Sequence, residues 1–253
     1  MIDYSRNWLF IDDALQAKLA NCHIFVMGVG IGSVFAELAL RSGVRKFTLA
    51  DGDVVDASNL NRQNYTSRDI GVSKAQTCAD RLLLIDPEVS VKVIDRYLDH
   101  DDLNHEIPKA DIVINTIDFD SPVFLLASRL CRQFKKLEIF PMNLGFGSSV
   151  CVFKEDSPSW ETMLDFSNHV ELKLSILEYI ARSASIAPYL QEAKQKYFQQ
   201  TAASFDPQLA VSTMVSASMM MGLILKTLQG ESLQYFPHFY FADATLPYVM
   251  TAA

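Results

Sequence analysis

The chain alternates short, unbroken apolar runs with longer amphipathic ones. "HIFVMGV" at 23–29 and "ADIVINTID" at 110–118 are of the first kind, which suits strands buried on both faces of a parallel sheet. "VFAELALRSG", ending at Gly43, and "SKAQTCADRLLLID", stopped near Pro87, carry helical spacing. "KFTLAD" and "VSVKVIDRYL" read as further strands. "SPVFLLASRLCRQFKK" reads as a helix with Pro122 near its first turn, where a missing N–H is tolerated. "LEIFPMN" and "SSVCVFK" add two strands. Residues 22–154 therefore predict an α/β fold: a Rossmann-like, mixed, mostly parallel sheet flanked by helices.

The flanks read differently. Residues 1–21 predict an amphipathic opening helix. Residues 155–207 are polar, helix-leaning and less periodic, as in a variable helical insertion, and the hand-over from the core is expected between Gly147 and Ser157. Residues 208–253 predict a closing apolar helix and a strand, "HFYFADA". One domain accounts for the whole chain. The segment from Leu209 to Leu225 approaches the length of a short membrane span. Ser212, Thr213, Ser216, Ser218 and Gly222 dilute it, so a helix buried in protein is the expectation, with no membrane. The opening "MIDYSRNWLF" is too polar for a signal peptide.

Composition narrows this little. With 253 residues, 49% hydrophobic and 21% charged, the chain has enough apolar surface for a sizeable core. A net charge of −8 with scattered Lys and Arg argues against a nucleic-acid partner and leaves room for a locally positive nucleotide pocket. Cys22, Cys78, Cys131 and Cys151 form no C-x-x-C pair, so no zinc is expected. They read as buried thiols of a reducing, cytoplasmic compartment.

Candidate chemistry begins at "GVGIGS". A tight glycine turn lets backbone N–H groups and a helix N-terminus approach phosphate. Gly28 and Gly30 fit G-x-G-x-x-G, but Ser33 holds the third place and Gly32 falls one early. Alone the turn is a weak signal, compatible with a purely structural strand-to-helix bend. Asp51 closes the second strand, about twenty residues on, where an acid reaches a ribose, and Asp53 follows. The next stretch, "DVVDASNLNRQ", exceeds what a dinucleotide enzyme needs. Arg62 can neutralise phosphate oxygens, Asn59 and Gln63 can donate to them, and Lys74 opens a helix. Asp118 closes the strand "ADIVINTID" at the ligand-binding edge and suits Mg²⁺, an oxygen-seeking ion. Each could be a solvated charge. Together, at consistent strand ends, they describe a nucleoside triphosphate with Mg²⁺.

"DGDVVDASNLNRQ", the preceding glycine loop and the following "GVSKA" resemble the ThiF/MoeB/HesA superfamily, the ubiquitin-activating-enzyme-like adenylating proteins. The resemblance covers roughly residues 4–153 and, more faintly, the helix at 208–229. It implies that Asp51 holds the ATP ribose, that Asn59, Arg62, Gln63 and Lys74 surround the phosphates, and that Asp118 binds Mg²⁺. "YSRN" is similar to the family's opening motif, so Arg6 matches an arginine offered across a dimer interface. The implied activity is adenylation of a carboxylate, the C-terminus of a small ubiquitin-like or sulfur-carrier protein or peptide. The implied assembly is a homodimer or a heterodimer with a ThiF-like partner.

This sequence departs from the family pattern at Ser33, at Val123 where an arginine often follows the metal aspartate, and in the lack of zinc cysteines. Residues 152–253 also contain no cysteine, so a thioester step is not expected, and Cys151 in "SSVCVF" reads as buried. Three other readings remain: activation of a small-molecule or tRNA-borne carboxylate, a non-catalytic scaffold in a heterodimer, and an NAD-dependent oxidoreductase built on the βαβ unit and Asp51. Met214, Met219, Met220 and Met221 are expected in the core. Trp160 could line a substrate channel or pack in a core or interface.

Overall fold

The apolar runs become strands β1 (His23–Met27), β2 (Lys46–Ala50), β3 (Ser90–Ile94), β4 (Ile112–Asn115), β5 (Leu137–Leu144), β6 (Gly147–Phe153) and β7 (Phe239–Asp243). The computed structural model describes residues 2–119, 121–183, 189–199 and 206–246, so the segments 155–207 and 208–253 are described in part. The strands form one sheet in the order β3-β2-β1-β4-β5-β6-β7. β3, β2, β1, β4 and β5 are parallel, and β6 and β7 continue antiparallel. The mixed, mostly parallel sheet expected from the sequence is the one observed.

The helices are α1 (Asp13–Asn21), α2 (Gly32–Ser42), α3 (Lys74–Ile85), α4 (His100–Glu106), α5 (Val123–Gln133), α6 (Trp160–Met163), α7 (His169–Ser183), α8 (Tyr189–Gln199) and α9 (Ala210–Gln229). Local chemistry sets several boundaries. The Asp12 carboxylate accepts the Leu15 N–H at 2.8 Å and starts α1, a cap that satisfies an orphan donor. The predicted opening helix over 1–21 is thereby shortened to 13–21, preceded by a 3-10 turn at Ser5–Asn7. Ser73 caps α3 in the same way. Helix α4 lies outside the elements expected from the pattern. It is about two mostly polar turns, started by a reciprocal Asp99/Asp102 capping box.

Alternate strand residues feed two faces. Ile24, Val26 and Ile114 pack under α2, α3 and α9, while Phe25, Met27 and Val113 pack against α4 and α5. A third cluster fills the far end. There Trp160 is buried among Phe140, Phe153 and Phe236, and α7 covers it with Leu172, Ile176 and Ile180. Trp160 is therefore core. Met220 and Met221 are buried, whereas Met214 is half exposed.

Helix α9 is long and apolar enough to cross a membrane by length and composition. It lies instead along the sheet, burying Ser212, Ser216, Ala217, Met220, Leu223 and Ile224. His23 is structural: its ring bridges the Lys109 carbonyl at 3.0 Å and the Thr48 hydroxyl at 2.9 Å.

Candidate active site

In an open parallel sheet, ligands sit where connections leave neighbouring strands for opposite faces. Here that point lies between β1 and β4. The chain leaves β1 into α2 on one face and leaves β4 into α5 on the other. The glycine turn occupies this switch point. Gly28 has φ +85°, a conformation that L side chains rarely adopt. The Thr116 hydroxyl, just past β4, donates to the Gly28 carbonyl at 2.5 Å and braces the turn from the other side.

The fingerprint is shifted by one place rather than lost. A Cβ on Gly32 would stand 2.8 Å from Val26 Cγ1, so Gly32 gives the close helix-to-strand approach that a third glycine supplies. Ser33 then does other work. It is buried, its hydroxyl donates to the Gly30 carbonyl at 2.7 Å, and it accepts the Asn64 N–H at 3.1 Å. This single hydroxyl ties the glycine turn to the polar loop.

The loop residues converge on the same edge. Asp51 stands one residue past β2. Its carboxylate accepts the Val29 N–H at 2.8 Å and the Asp53 N–H at 2.9 Å. Burial raises its pKa. Lys74, buried at the start of α3, donates to Asp53 at 2.8 Å, and the Tyr97 hydroxyl donates to the same carboxylate at 2.6 Å. Burial alone would push Asp53 up, but these two donors outweigh it and hold the carboxyl below its usual range. Lys74 and Asp53 therefore act as a pair.

Asn59 accepts the Asp56 N–H at 3.0 Å, closing a capping box that shapes the "SNLNRQ" turn. Gln63 is buried beside Gly30, and its Oε1 has no hydrogen-bond partner among the described residues. Arg62 is half-buried. Burial pulls its guanidinium pKa down, and the nearby Asp118 carboxylate opposes that shift. The guanidinium remains a cation. Asp118 lies in the loop three residues beyond β4 and is exposed.

Thus Asp51, Asp53 and Lys74 form a connected group at the turn of Gly28, Gly30 and Gly32, and the Asp118 carboxylate acts on Arg62 through its field. Arg6 is elsewhere. Tyr4 donates to the Leu40 carbonyl at 2.7 Å, fixing the N-terminal segment at the opposite end of α2. Val123 opens α5 and packs in the apolar cluster beneath it. Tyr65 and Tyr97 are site residues that the sequence pattern does not point to, and the bracing role of Ser33 is not visible in it. Tyr65 donates to the Val29 carbonyl at 2.6 Å. A polar side chain next to the "SNLNRQ" turn was the only signal available for it.

The four cysteines are all buried thiols. Burial pushes Cys22 and Cys78 up to about 12 and raises Cys131 and Cys151 as well. A thiol so placed is a poor nucleophile. Among the described residues no group of three or more His, Cys, Asp or Glu could hold a metal. One exposed carboxylate, Asp118, still suits Mg²⁺, which takes one or two protein carboxylates and fills its shell with water and phosphate oxygens.

A glycine turn at this switch point, followed by an acid at the next strand end, places the molecule among the doubly wound, Rossmann-type α/β proteins. The chain belongs to the ThiF family, whose profile matches residues 4–251. It is 32% identical over 175 residues to a probable molybdopterin-synthase adenylyltransferase of Gracilaria tenuistipitata var. liui, covering 67% of this chain and 49% of that protein. It is 37% identical over 130 residues to the tRNA threonylcarbamoyladenosine dehydratase of Escherichia coli (strain K12), covering 50% and 48%. The chain thus spans about half the length of these curated relatives. Among solved structures, Escherichia coli MccB with ATP matches at a TM-score of 0.66 and 20% identity, covering 90% of this chain and 64% of that one, which shows a shared fold.

Proposed function

We infer that this protein is an ATP-dependent adenylyltransferase that activates a carboxylate. The observation that carries this reading is the Lys74–Asp53 pair and the Asp51 carboxylate gathered at the glycine turn, with the Asn59–Gln63 loop that bears Arg62 packed beside Gly30. A carboxylate is a poor electrophile until its oxygen bonds to the α-phosphorus of ATP. That bond forms as the bond from the α-phosphorus to the oxygen bridging it to the β-phosphorus breaks, and pyrophosphate leaves with the electron pair. Two anions must approach, so cations aimed at the phosphoryl oxygens lower the barrier. Arg62 supplies a planar donor set for those oxygens. Lys74 supplies a second positive charge, held in place by Asp53. Asp51 offers carboxylate oxygens to the ribose hydroxyls, and the Gly28–Gly32 turn lets the nucleotide approach the backbone. Asn59 shapes the loop that presents Arg62, and Gln63 brings its side-chain amide nitrogen, a donor, beside the turn. Mg²⁺ bound at Asp118 would neutralise phosphate charge.

The substrate we favour is the C-terminus of a small ubiquitin-like or sulfur-carrier protein or a peptide. Relatives named as a sulfur carrier protein ThiS adenylyltransferase and a SAMP-activating enzyme E1, and the MccB structure solved with MccA, support this class. The buried cysteines support release of the adenylate to an outside nucleophile without a thioester. The relative named as a tRNA threonylcarbamoyladenosine dehydratase supports a second reading, activation of a tRNA-borne carboxylate, against which the acidic net charge weighs. Free buried thiols support a cytoplasmic setting.

We place Arg6 at a dimer interface. Trp8, Leu9 and Phe10 beside it are 74%, 65% and 81% exposed, an apolar run that a second copy or a ThiF-like partner would cover.

ATP–pyrophosphate exchange with candidate C-terminal peptides tests the reading. Exchange in the wild type that Arg62→Ala and Asp118→Ala both abolish is the expected result. Exchange indifferent to both substitutions would remove the site assignment.

A further inference from the structure

We propose that Gln208 is a positioning residue that sets the orientation of Arg62 and couples it to the helical insertion. The proposal rests on the nucleotide-site reading above and adds a residue 146 positions away in sequence. Gln208 Oε1 accepts from Arg62 Nε at 2.8 Å, and its backbone carbonyl accepts from Asn61 Nδ2 at 3.1 Å. Arg62 Nη1 donates to the Ser58 carbonyl at 3.0 Å and to Asn61 Oδ1 at 2.8 Å. These bonds use Nε and Nη1, so among the described residues Nη2 is the nitrogen left for a phosphate oxygen. A guanidinium is planar, and fixing two of its nitrogens fixes the direction of the third.

The same short stretch is held from its other side. Asp206 pairs with Lys173 on α7, and both side chains are largely buried. Pro207 stands between the two anchors and restricts the backbone that joins them. α7 is part of the insertion and covers the Trp160 cluster. Lys173, Asp206, Gln208 and Arg62 thus form a contiguous chain of contacts from the insertion to the phosphate arginine. Whatever acyl substrate displaces α7 also moves Gln208, and ATP that draws on Arg62 also pulls on α7. Binding at one end then alters affinity at the other by the same factor.

The test is a thermodynamic cycle in ATP binding with Mg²⁺, measured by calorimetry on wild type, Arg62→Ala, Gln208→Ala and the double variant. Gln208→Ala is expected to weaken ATP binding roughly three- to tenfold in the wild-type background and to have no effect when Arg62 is already Ala. Equal effects in both backgrounds would overturn the positioning role while leaving the nucleotide site intact. A wild type that binds no ATP, or binding untouched by Arg62→Ala, would overturn the nucleotide-site reading and the proposal with it. Hydrogen exchange across α7 provides the second arm: ATP should change it in the wild type and not in Gln208→Ala. No ATP-dependent change in the wild type would overturn the coupling. Should Gln208→Ala fold poorly, Lys173→Met probes the chain from its far end, with loss of the ATP-dependent exchange expected and its persistence contradicting the proposal.

Discussion

The two ends of the sheet are built by different physics. Around β1, β2 and β4, polar side chains bond to backbone at nearly every step. Asp51 holds the N–H groups of Val29 and Asp53, Ser33 holds Gly30 and Asn64, and Tyr65 holds Val29. Around β5, β6 and α7 the contacts are aromatic, centred on Trp160. Polar networks fix directions, and apolar packing fixes volume. The first end suits a ligand of constant shape, such as a nucleotide. The second is held by bulk and imposes no hydrogen-bonding direction.

That contrast can be broken experimentally. The largest effect should come from Trp160→Ala, which empties the aromatic cluster and should cost about 3–5 kcal/mol in denaturant unfolding. ATP affinity of the molecules that remain folded should change little, and a parallel collapse of both would mean that the two ends are one unit.

Arg62→Ala should do the reverse. Exchange should fall roughly 10²–10³-fold, by analogy with removing one donor to a developing charge, while the thermal midpoint moves little. Ser33→Ala should be smaller, about 0.5–1.5 kcal/mol of stability for each hydrogen bond lost, because the Asn64 N–H loses its acceptor and the Gly30 carbonyl is left with the Ser33 N–H alone. Ser33→Gly should be no better tolerated, since Gly32 already gives the close approach.

The smallest effect is a pH dependence at the β3 side. Burial raises the Glu106 pKa, but hydrogen bonds from Lys92, Lys109 and His105 outweigh it and hold the carboxyl at about 2. A folded pKa below the unfolded value of about 4.3 means the contribution is complete above about pH 4.3. It is lost as pH falls through about 2. Urea unfolding between these pH values should show a decline that is shallower in Glu106→Gln.

Legibility in the sequence followed the same divide. The buried strands could be read because runs such as "HIFVMGV" have no polar interruption. The candidate residues could be picked out because Asp51, Arg62 and Lys74 are close in sequence and follow strand or helix boundaries. Helix α4 escaped because a polar turn held by Asp99 and Asp102 has no hydrophobic period. Ser33 looked like a lost glycine because a serine letter does not show what its hydroxyl ties together. Gln208 was invisible because its partner lies across the fold, and no local pattern encodes such a contact.

The central claim is that one crevice between β1 and β4 receives a nucleoside triphosphate. A crystal structure with a non-hydrolysable ATP analogue and Mg²⁺ tests it most directly. The account predicts the sugar at Asp51, the phosphates over the Gly28–Gly32 turn, and Arg62 Nη2 in contact with a phosphate oxygen. An analogue bound away from this crevice, or an empty crevice at saturating concentration, would contradict it.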